Sequence, residues 1–336
     1  MSGGPIFIGG MQRSGTSLLR AIIGSHPDVA IFQYDLQLWK IFYERYKDTN
    51  LDKSSNLTQL LNDIYKSKKV RNAQIKPDRE VVEQHINVAS PGKITLSLVY
   101  QCFLEEYAKR VGRKRWGLKT PHNEFYSREL FSAHPDATMI QIVRDPRDVA
   151  VSYLGYDLMP NSFIGPQHID QWKRSFQWAL YNEQHFNDSF LCIYYEELVN
   201  YPEKIIKQIC NKSDLEYQPS MLKMDSHISW RGTNSSFNDT KEKKLIISNS
   251  AIGRYKSYLP IYYKYLYSTM LRNELLHCNY DIEHFNLTQR LKFKPKLYLE
   301  NLTSRSARDY ASLLHNSPLY KPARFIYRKV LEPLKK

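Results

Sequence analysis

A run of glycine, arginine and hydroxyl residues near the N-terminus has the composition of an anion-binding loop. Residues 9–17 read Gly-Gly-Met-Gln-Arg-Ser-Gly-Thr-Ser, between an apolar stretch and an amphipathic one. Such a loop directs backbone N–H groups and the positive end of the following helix at one point, which predicts a bound phosphate or sulfate. A tight turn without a ligand is the simpler alternative. The crowding of an arginine, hydroxyls and glycines at a helix start argues against it. The predicted anion-binding residues are Arg13, Ser14, Gly15, Thr16 and Ser17.

The residue after Gly15 indicates which class of anion the loop binds. Gly10 and Gly15 have the spacing of the phosphate-binding motif GxxxxGK[ST], but Thr16 stands where that motif has its lysine. A nucleoside triphosphatase needs this lysine on the β and γ phosphates, together with a metal. Arg13 instead places the cation inside the loop, which suits an anion with less charge at its transferring end. A kinase that uses ATP is therefore the less favoured alternative.

A second anion site is predicted from the segment Val143-Arg144-Asp145-Pro146-Arg147-Asp148. Ser152 follows Arg144 by eight residues, so it lies little more than one turn into a helix that begins near Asp148. An arginine at a strand end and a hydroxyl in the next helix can bind one phosphate together. Combined with the first loop, this pair indicates a nucleotide that carries a second phosphate away from its reacting end.

The two segments require strands and helices that alternate along the chain. Apolar, β-prone stretches cover residues 6–8, 139–143 and 190–194, and each precedes a helical pattern. This alternation predicts an α/β fold with a parallel sheet whose ligand sites lie at the carboxyl ends of the strands. Residues 36–112 read mainly as helical insertions, and the polar stretch Ser229–Ser250 reads as a loop.

The C-terminal part of the chain differs from the rest in charge. Residues 291–336 contain eleven Lys and Arg against three acidic residues, interleaved with tyrosine and phenylalanine. We predict one main domain over 1–290 and a basic extension over 291–336, packed by its aromatic residues. Peripheral contact of this extension with an anionic membrane is the alternative.

Composition limits the remaining function classes. The 336 residues carry a formal net charge of +14, so an anionic partner is expected. No helix-turn-helix, RNA-recognition or zinc-finger pattern supports nucleic-acid binding, which is the non-enzymatic alternative. The four cysteines lack CxxC spacing and no metal-ligand cluster is present, so no metal is predicted. Without an apolar stretch of about 20 residues, we expect a cytoplasmic protein, the alternative being the lumenal domain of a truncated Golgi enzyme.

These motifs resemble those of the sulfotransferases that use 3′-phosphoadenosine 5′-phosphosulfate (PAPS). The Arg13–Ser17 run is similar to their 5′-phosphosulfate loop, and Arg144 with Ser152 matches their 3′-phosphate motif in residue type and spacing. Tyr195-Glu196-Glu197-Leu198 resembles the strand-end motif whose tyrosine lies by the adenine. The segment from Ser250 to Lys256, with Gly253 and Arg254, resembles the late loop over the nucleotide. The segments Pro5–Val29 and Trp116–Pro121 are closer to the tyrosylprotein and bacterial branch than to the cytosolic phenol branch.

The resemblance implies sulfuryl transfer from PAPS to a hydroxyl of a glycan, a lipid-linked sugar or a protein tyrosine, without a metal. The product nucleotide would be adenosine 3′,5′-bisphosphate. Arg13 and Lys119 would stabilise the charge that develops on the leaving oxygen. The branch carries its base, a glutamate, at the position of Tyr34 in this chain. We therefore expect the neighbouring Asp35 to be the base, with His122 as the second candidate.

Overall fold

The computed structural model describes residues 3–90, 92–154, 164–224, 237–239 and 245–298. Its centre is a sheet of five parallel strands in the order β2-β3-β1-β4-β5. Ile8 of the central strand pairs with Lys119 on one side and with Ile140 on the other. The predicted α/β fold with a parallel sheet is confirmed. The strands are β1 (Ile6–Gly9), β2 (Val29–Ile31), β3 (Arg115–Lys119), β4 (Thr138–Val143) and β5 (Phe190–Tyr194).

Besides a helical stretch at residues 287–298, the described residues form fifteen α-helices, several of which lie between consecutive strands along the chain. They are α1 (Thr16–Gly24), α2 (Glu44–Tyr46), α3 (Ser54–Lys66), α4 (Lys68–Arg71), α5 (Arg79–Ala89), α6 (Leu96–Arg110), α7 (Ser127–Ala133), α8 (Pro146–Leu154), α9 (Pro166–His185), α10 (Tyr195–Asn200), α11 (Pro202–Lys212), α12 (Ser220–Lys223), α13 (Tyr255–Tyr258), α14 (Ile261–Met270) and α15 (Arg272–His277). A π-helical segment covers Leu38–Tyr43 and a 3₁₀ turn covers Asn123–Tyr126. None of the described helices is both long and apolar enough to cross a bilayer.

Both faces of β1 and β2 are buried, which explains why these two strands are continuously apolar. Ile6 and Ile8 point into a layer formed with α1 and α11, while Phe7 between them packs against α3, α5 and α6 on the other face. This is the alternation that successive strand residues must follow. The helical insertions predicted over residues 36–112 supply the second layer.

Two local predictions need correction. The stretch Ser229–Ser250 is not wholly a loop, because β6 (Phe237–Asp239) and β7 (Leu245–Ile247) form an antiparallel pair within it. The apolar run at residues 245–247 favours a strand despite its polar surroundings, and much of the stretch lies outside the described residues. Helix α8 begins at Pro146 rather than near Asp148, since proline is favoured at the first helical position.

The chain divides into two compact units. The first comprises Met1–Gly155 and Gln171–Tyr258, and it contains the whole five-stranded sheet. The second comprises Tyr156–Asp170 and Leu259–Lys336, of which residues 164–170 and 259–298 are described. Within the second unit residues 287–298 are helical, and Phe293 of this helix packs on Tyr262 and Tyr265. A domain boundary at residue 291 stays a prediction.

Candidate active site

The glycine loop, residues 10–15, connects the central strand β1 to α1. Gly10 has φ 122° and an added Cβ there would lie 2.4 Å from the carbonyl oxygen of Ile142. Gly15 has φ 106°, and its added Cβ would lie 2.6 Å from the ring of Tyr195. Glycine is therefore required at both positions. No side chain caps α1 and no acidic residue lies in its first turn, so its first amide groups remain able to bind an anion.

The structure brings together the predicted arginine and hydroxyl residues of the two phosphate motifs. Arg13 Nε donates to Ser152 Oγ at 2.9 Å, and Arg144 donates to the carbonyl oxygen of Arg13 at 3.2 Å. The guanidinium of Arg144 also lies 4.2 Å from the ring centroid of Tyr195, which is fully buried. Ser152 therefore contacts Arg13 rather than Arg144 in this state, and all four residues form one cluster.

One buried donor in this cluster is suited to bind an anion. Arg144 is buried, and its Nε has no hydrogen-bond partner among the described residues. A buried donor without a partner costs free energy comparable to a lost hydrogen bond. A phosphate oxygen is a suitable acceptor for it, because arginine binds phosphate with paired donors. The cluster thus fits a phosphate group.

The segment that contains Gly253 is held beside α8 by Asp148, a role that the second anion motif did not predict. The Asp148 carboxylate accepts from the N–H groups of Gly253 at 2.7 Å and Tyr255 at 2.8 Å. The carbonyl of Ala251 accepts from Arg144 at 2.6 Å, so this segment reaches the cluster. Burial raises the pKa of Asp148, and the two backbone hydrogen bonds oppose that rise. The predicted Arg254 lies over the ring of Tyr258 at 5.4 Å instead.

Lys119 and Asp35 form a buried ion pair at the carboxyl end of β3. Lys119 is 3% exposed and Asp35 is 22% exposed, and the lysine Nζ contacts Asp35 Oδ1. Burial lowers the pKa of Lys119 to about 8, while the charge of Asp35 acts in the opposite direction. Arg20 of α1 is also buried, donates to the carbonyl of Gln33, and has its pKa lowered by burial. Lys119 is therefore a buried cation rather than a surface lysine.

His122 lies directly against the glycine loop. Its backbone N–H donates to the carbonyl of Gly10 at 3.2 Å, and its ring stacks on Phe125 at 4.9 Å. Its Nδ1 lies 3.6 Å from Oε1 of Glu124, a fully buried carboxylate that the sequence analysis did not identify. Both candidate bases are thus near the carboxyl end of β3: Asp35 contacts Lys119, the last residue of this strand, and His122 follows the strand by three residues. Tyr34, which occupies the position of the family's glutamate, donates to the carbonyl of Asn72.

A sequence model of the sulfotransferase family matches residues 5–219, which is more than half of the chain. The chain belongs to the sulfotransferase family. The putative protein-tyrosine sulfotransferase of Caenorhabditis briggsae is 24% identical over 257 residues, covering 73% of this chain and 76% of that protein. The protein-tyrosine sulfotransferase of Drosophila melanogaster is 27% identical over 234 residues, covering 66% of this chain but only 40% of its own length.

A solved structure shares the fold of this sulfotransferase. The sulfotransferase domain from the curacin biosynthetic pathway has a TM-score of 0.53 and 18% identity, covering 84% of this chain and 99% of that domain. The predicted family is confirmed, and these relatives are consistent with its tyrosylprotein and bacterial branch. Within the described ranges of this sulfotransferase, no group of three His, Cys, Asp or Glu residues could hold a metal ion.

Proposed function

We propose that this sulfotransferase moves a sulfuryl group from PAPS to the hydroxyl of a tyrosine in a protein or peptide. The observation that carries the proposal is the joint placement of Arg13, Arg144 and Ser152 beside the uncapped start of α1. This arrangement offers two separate groups of donors, the loop amides and the Arg144 cluster. A donor with a 5′-phosphosulfate and a distinct 3′-phosphate needs two such groups.

The residues of the cluster can be assigned to parts of the donor. The amides and hydroxyls at the start of α1 would hold the 5′-phosphosulfate, and Arg144 with Ser152 would hold the 3′-phosphate. Tyr195 would lie by the adenine, under the Arg144 guanidinium that already packs on its ring. The segment around Gly253 would cover the nucleotide, since Asp148 ties it to α8. The loop positions assigned to the 5′ group are Ser14, Gly15, Thr16 and Ser17.

The reaction needs one base and cations near the leaving oxygen. When bound, PAPS supplies an activated sulfuryl group: an S–O bond to the acceptor oxygen forms while the S–O bond to the 5′-phosphate breaks. Arg13 and Lys119 would stabilise the negative charge that develops on the leaving oxygen. The acceptor proton passes to a base, for which Asp35 and His122 are the two candidates. The products are a sulfate ester and adenosine 3′,5′-bisphosphate.

Calorimetry with adenosine 3′,5′-bisphosphate in metal-free buffer tests the donor site. We expect binding that Arg13→Ala and Arg144→Ala each weaken about 10- to 100-fold, since each removes charged hydrogen bonds. Arg79→Ala is the matched control, because Arg79 is paired with Glu83 on α5 and lies outside the cluster. No binding by the folded wild type would refute the donor assignment and reopen the ATP and nucleic-acid alternatives.

The acceptor needs its own test. Similarity to protein-tyrosine sulfotransferases supports a protein tyrosine as acceptor, while a glycan or a lipid-linked sugar offers the same kind of reacting group, a hydroxyl. Labelled PAPS incubated with a tyrosine-containing protein, the same protein with Tyr→Phe changes, and an oligosaccharide separates these classes. Label that persists after the Tyr→Phe changes, or appears only on the oligosaccharide, would overturn the tyrosine assignment.

We also propose a reducing, cytoplasmic location. The support is that Cys102 and Cys210 are buried thiols, and that burial raises the pKa of Cys102 to about 12 and of Cys210 to about 11. Fractionation of cells that express the full protein would test this. Recovery in a lumenal fraction would support the truncated Golgi enzyme instead.

A further inference from the structure

We propose that Glu124 is a positioning residue that holds the start of the glycine loop by a hydrogen bond and the ring of His122 by a close contact, so that the three residues form one unit. The inference rests on the proposed function, because it concerns the geometry of the same donor site. Glu124 does not belong to the motifs of the sequence analysis. It lies in the 3₁₀ turn Asn123–Tyr126 that follows the end of β3.

The contacts of Glu124 define the unit. Its Oε2 accepts from the backbone N–H of Gly10 at 2.7 Å. Its Oε1 accepts from Ser175 Oγ at 2.5 Å and lies 3.6 Å from His122 Nδ1. The carbonyl of Gly10 accepts from the N–H of His122 at 3.2 Å. Both backbone polar groups of Gly10 are therefore held by residues 122–124.

The cost of burying this carboxylate indicates that its position matters. Glu124 has no exposed surface, and an isolated carboxylate in such a site is expensive unless its oxygens are bonded. Its oxygens receive one backbone N–H and one hydroxyl, and within the described residues His122 is the sole ion-pair partner found for it. An apolar residue of similar size would avoid the desolvation cost but would leave the Gly10 N–H without an acceptor.

The glycine loop is shaped around this carboxylate. A Cβ added to Gly9 would lie 2.9 Å from Glu124 Oε2, so the strand end leaves space for the acid. A displacement of Glu124 would move Gly10 and the His122 ring together, because both contact its carboxylate. Glu124 therefore anchors two parts of the site. One is the glycine loop with its amides and Arg13, and the other is His122, a candidate base. Glu124 itself need not touch the donor.

Three variants of the full-length protein separate positioning from general stability. Glu124→Met removes both acceptor oxygens at similar volume, while Glu124→Gln keeps one oxygen for Gly10. Ser127→Ala is the control: Ser127 is a fully buried serine whose hydroxyl donates to Asn182 at 2.7 Å, and Asn182 donates to the backbone carbonyl of Glu124 at 3.3 Å, so this change disturbs the surroundings of Glu124 without removing an acceptor oxygen of its carboxylate. The readouts are hydrogen–deuterium exchange of a peptide spanning the glycine loop, and the affinity for adenosine 3′,5′-bisphosphate.

We expect Glu124→Met to speed exchange in the loop peptide and weaken nucleotide binding by about tenfold each, as for loss of a hydrogen bond to a charged group. Glu124→Gln should restore both to within about threefold of wild type, since one acceptor remains. Ser127→Ala should leave both unchanged. Wild-type exchange and wild-type affinity in folded Glu124→Met would overturn the proposal.

The proposal stays testable in two cases: when Glu124→Met does not fold, and when the wild type binds no nucleotide. If Glu124→Met does not fold, Ser175→Ala replaces it, since this change removes only the hydroxyl donor to Oε1. Faster exchange confined to the loop peptide then supports the unit, and unchanged exchange refutes it. If the wild type binds no nucleotide, the donor assignment fails, but the exchange result still decides whether Glu124 anchors the loop.

Discussion

Binding of adenosine 3′,5′-bisphosphate should weaken at alkaline pH because of Lys119. Burial lowers the pKa of this lysine from 10.5 to about 8 in the free protein. With that value about nine tenths of the molecules carry the Lys119 charge at pH 7, and about one tenth carry it at pH 9. A lysine with its usual pKa would stay almost fully charged over the same range.

The size of the effect follows from this charged fraction. If only the charged form binds the 5′ end of the nucleotide, the apparent Kd rises about tenfold between pH 7 and pH 9, with a bend near pH 8. Asp35→Asn removes the neighbouring charge that raises the lysine pKa. The bend should therefore move to lower pH in that variant, and its affinity should be lower already at neutral pH.

Calorimetry at constant ionic strength from pH 7 to pH 9.5 measures the profile above the range in which the phosphates titrate. Lys119→Arg is the control, because a guanidinium stays charged throughout and its profile should be flat. A wild-type profile as flat as that of Lys119→Arg would refute the reasoning. It would mean either that Lys119 keeps its charge at pH 9 or that this charge does not act on the nucleotide.

Three other changes test separate parts of the structure. Gly15→Ala places a Cβ 2.6 Å from the ring of Tyr195 at a φ of 106°, so we expect unfolding in urea to show a loss of about 1–3 kcal/mol. Arg144→Lys keeps the charge but loses the planar stack on Tyr195, and calorimetry should show nucleotide binding weakened about tenfold. Burial lowers the pKa of His168 to about 3, so between pH 6.5 and pH 3 the unfolded chain binds a proton that the folded chain does not. Wild-type stability in urea should therefore fall by about 2 kcal/mol between pH 6.5 and pH 5 relative to His168→Gln, and equal slopes would contradict this.

The sheet could be predicted mainly where apolar runs were long enough to show a pattern. The runs at 139–143 and 190–194 are rich in β-branched or aromatic residues, and they became β4 and β5. Strand β2 has only three residues, Val29–Ile31, and such a short run does not distinguish a strand from a helix segment. The pair β6 and β7 was not predicted for a related reason: the apolar run at 245–247 is short, and the polar residues around it indicate a loop.

The candidate site could be predicted where each residue belongs to a local motif. Arg13 lies in the glycine loop, and Arg144 with Ser152 lies in one strand-to-helix segment, so spacing alone identified them. Glu124 binds Gly10 across 114 residues of sequence, and no local pattern reports such a contact. Asp148 was visible as part of a motif, but its bonds to Gly253 and Tyr255 depend on how the chain returns to α8.

The two candidate bases differ in what happens to charge when each accepts a proton. Asp35 already holds Lys119 in an ion pair, so its protonation would release the ammonium group to face the leaving oxygen as negative charge builds there. A proton on His122 would instead form an imidazolium 3.6 Å from Glu124 Oε1, and this carboxylate would neutralise the new charge locally. Proton uptake by Asp35 therefore couples the base to a charge stabiliser, whereas uptake by His122 does not. This coupling favours Asp35 as the base and leaves His122 and Glu124 to hold the loop.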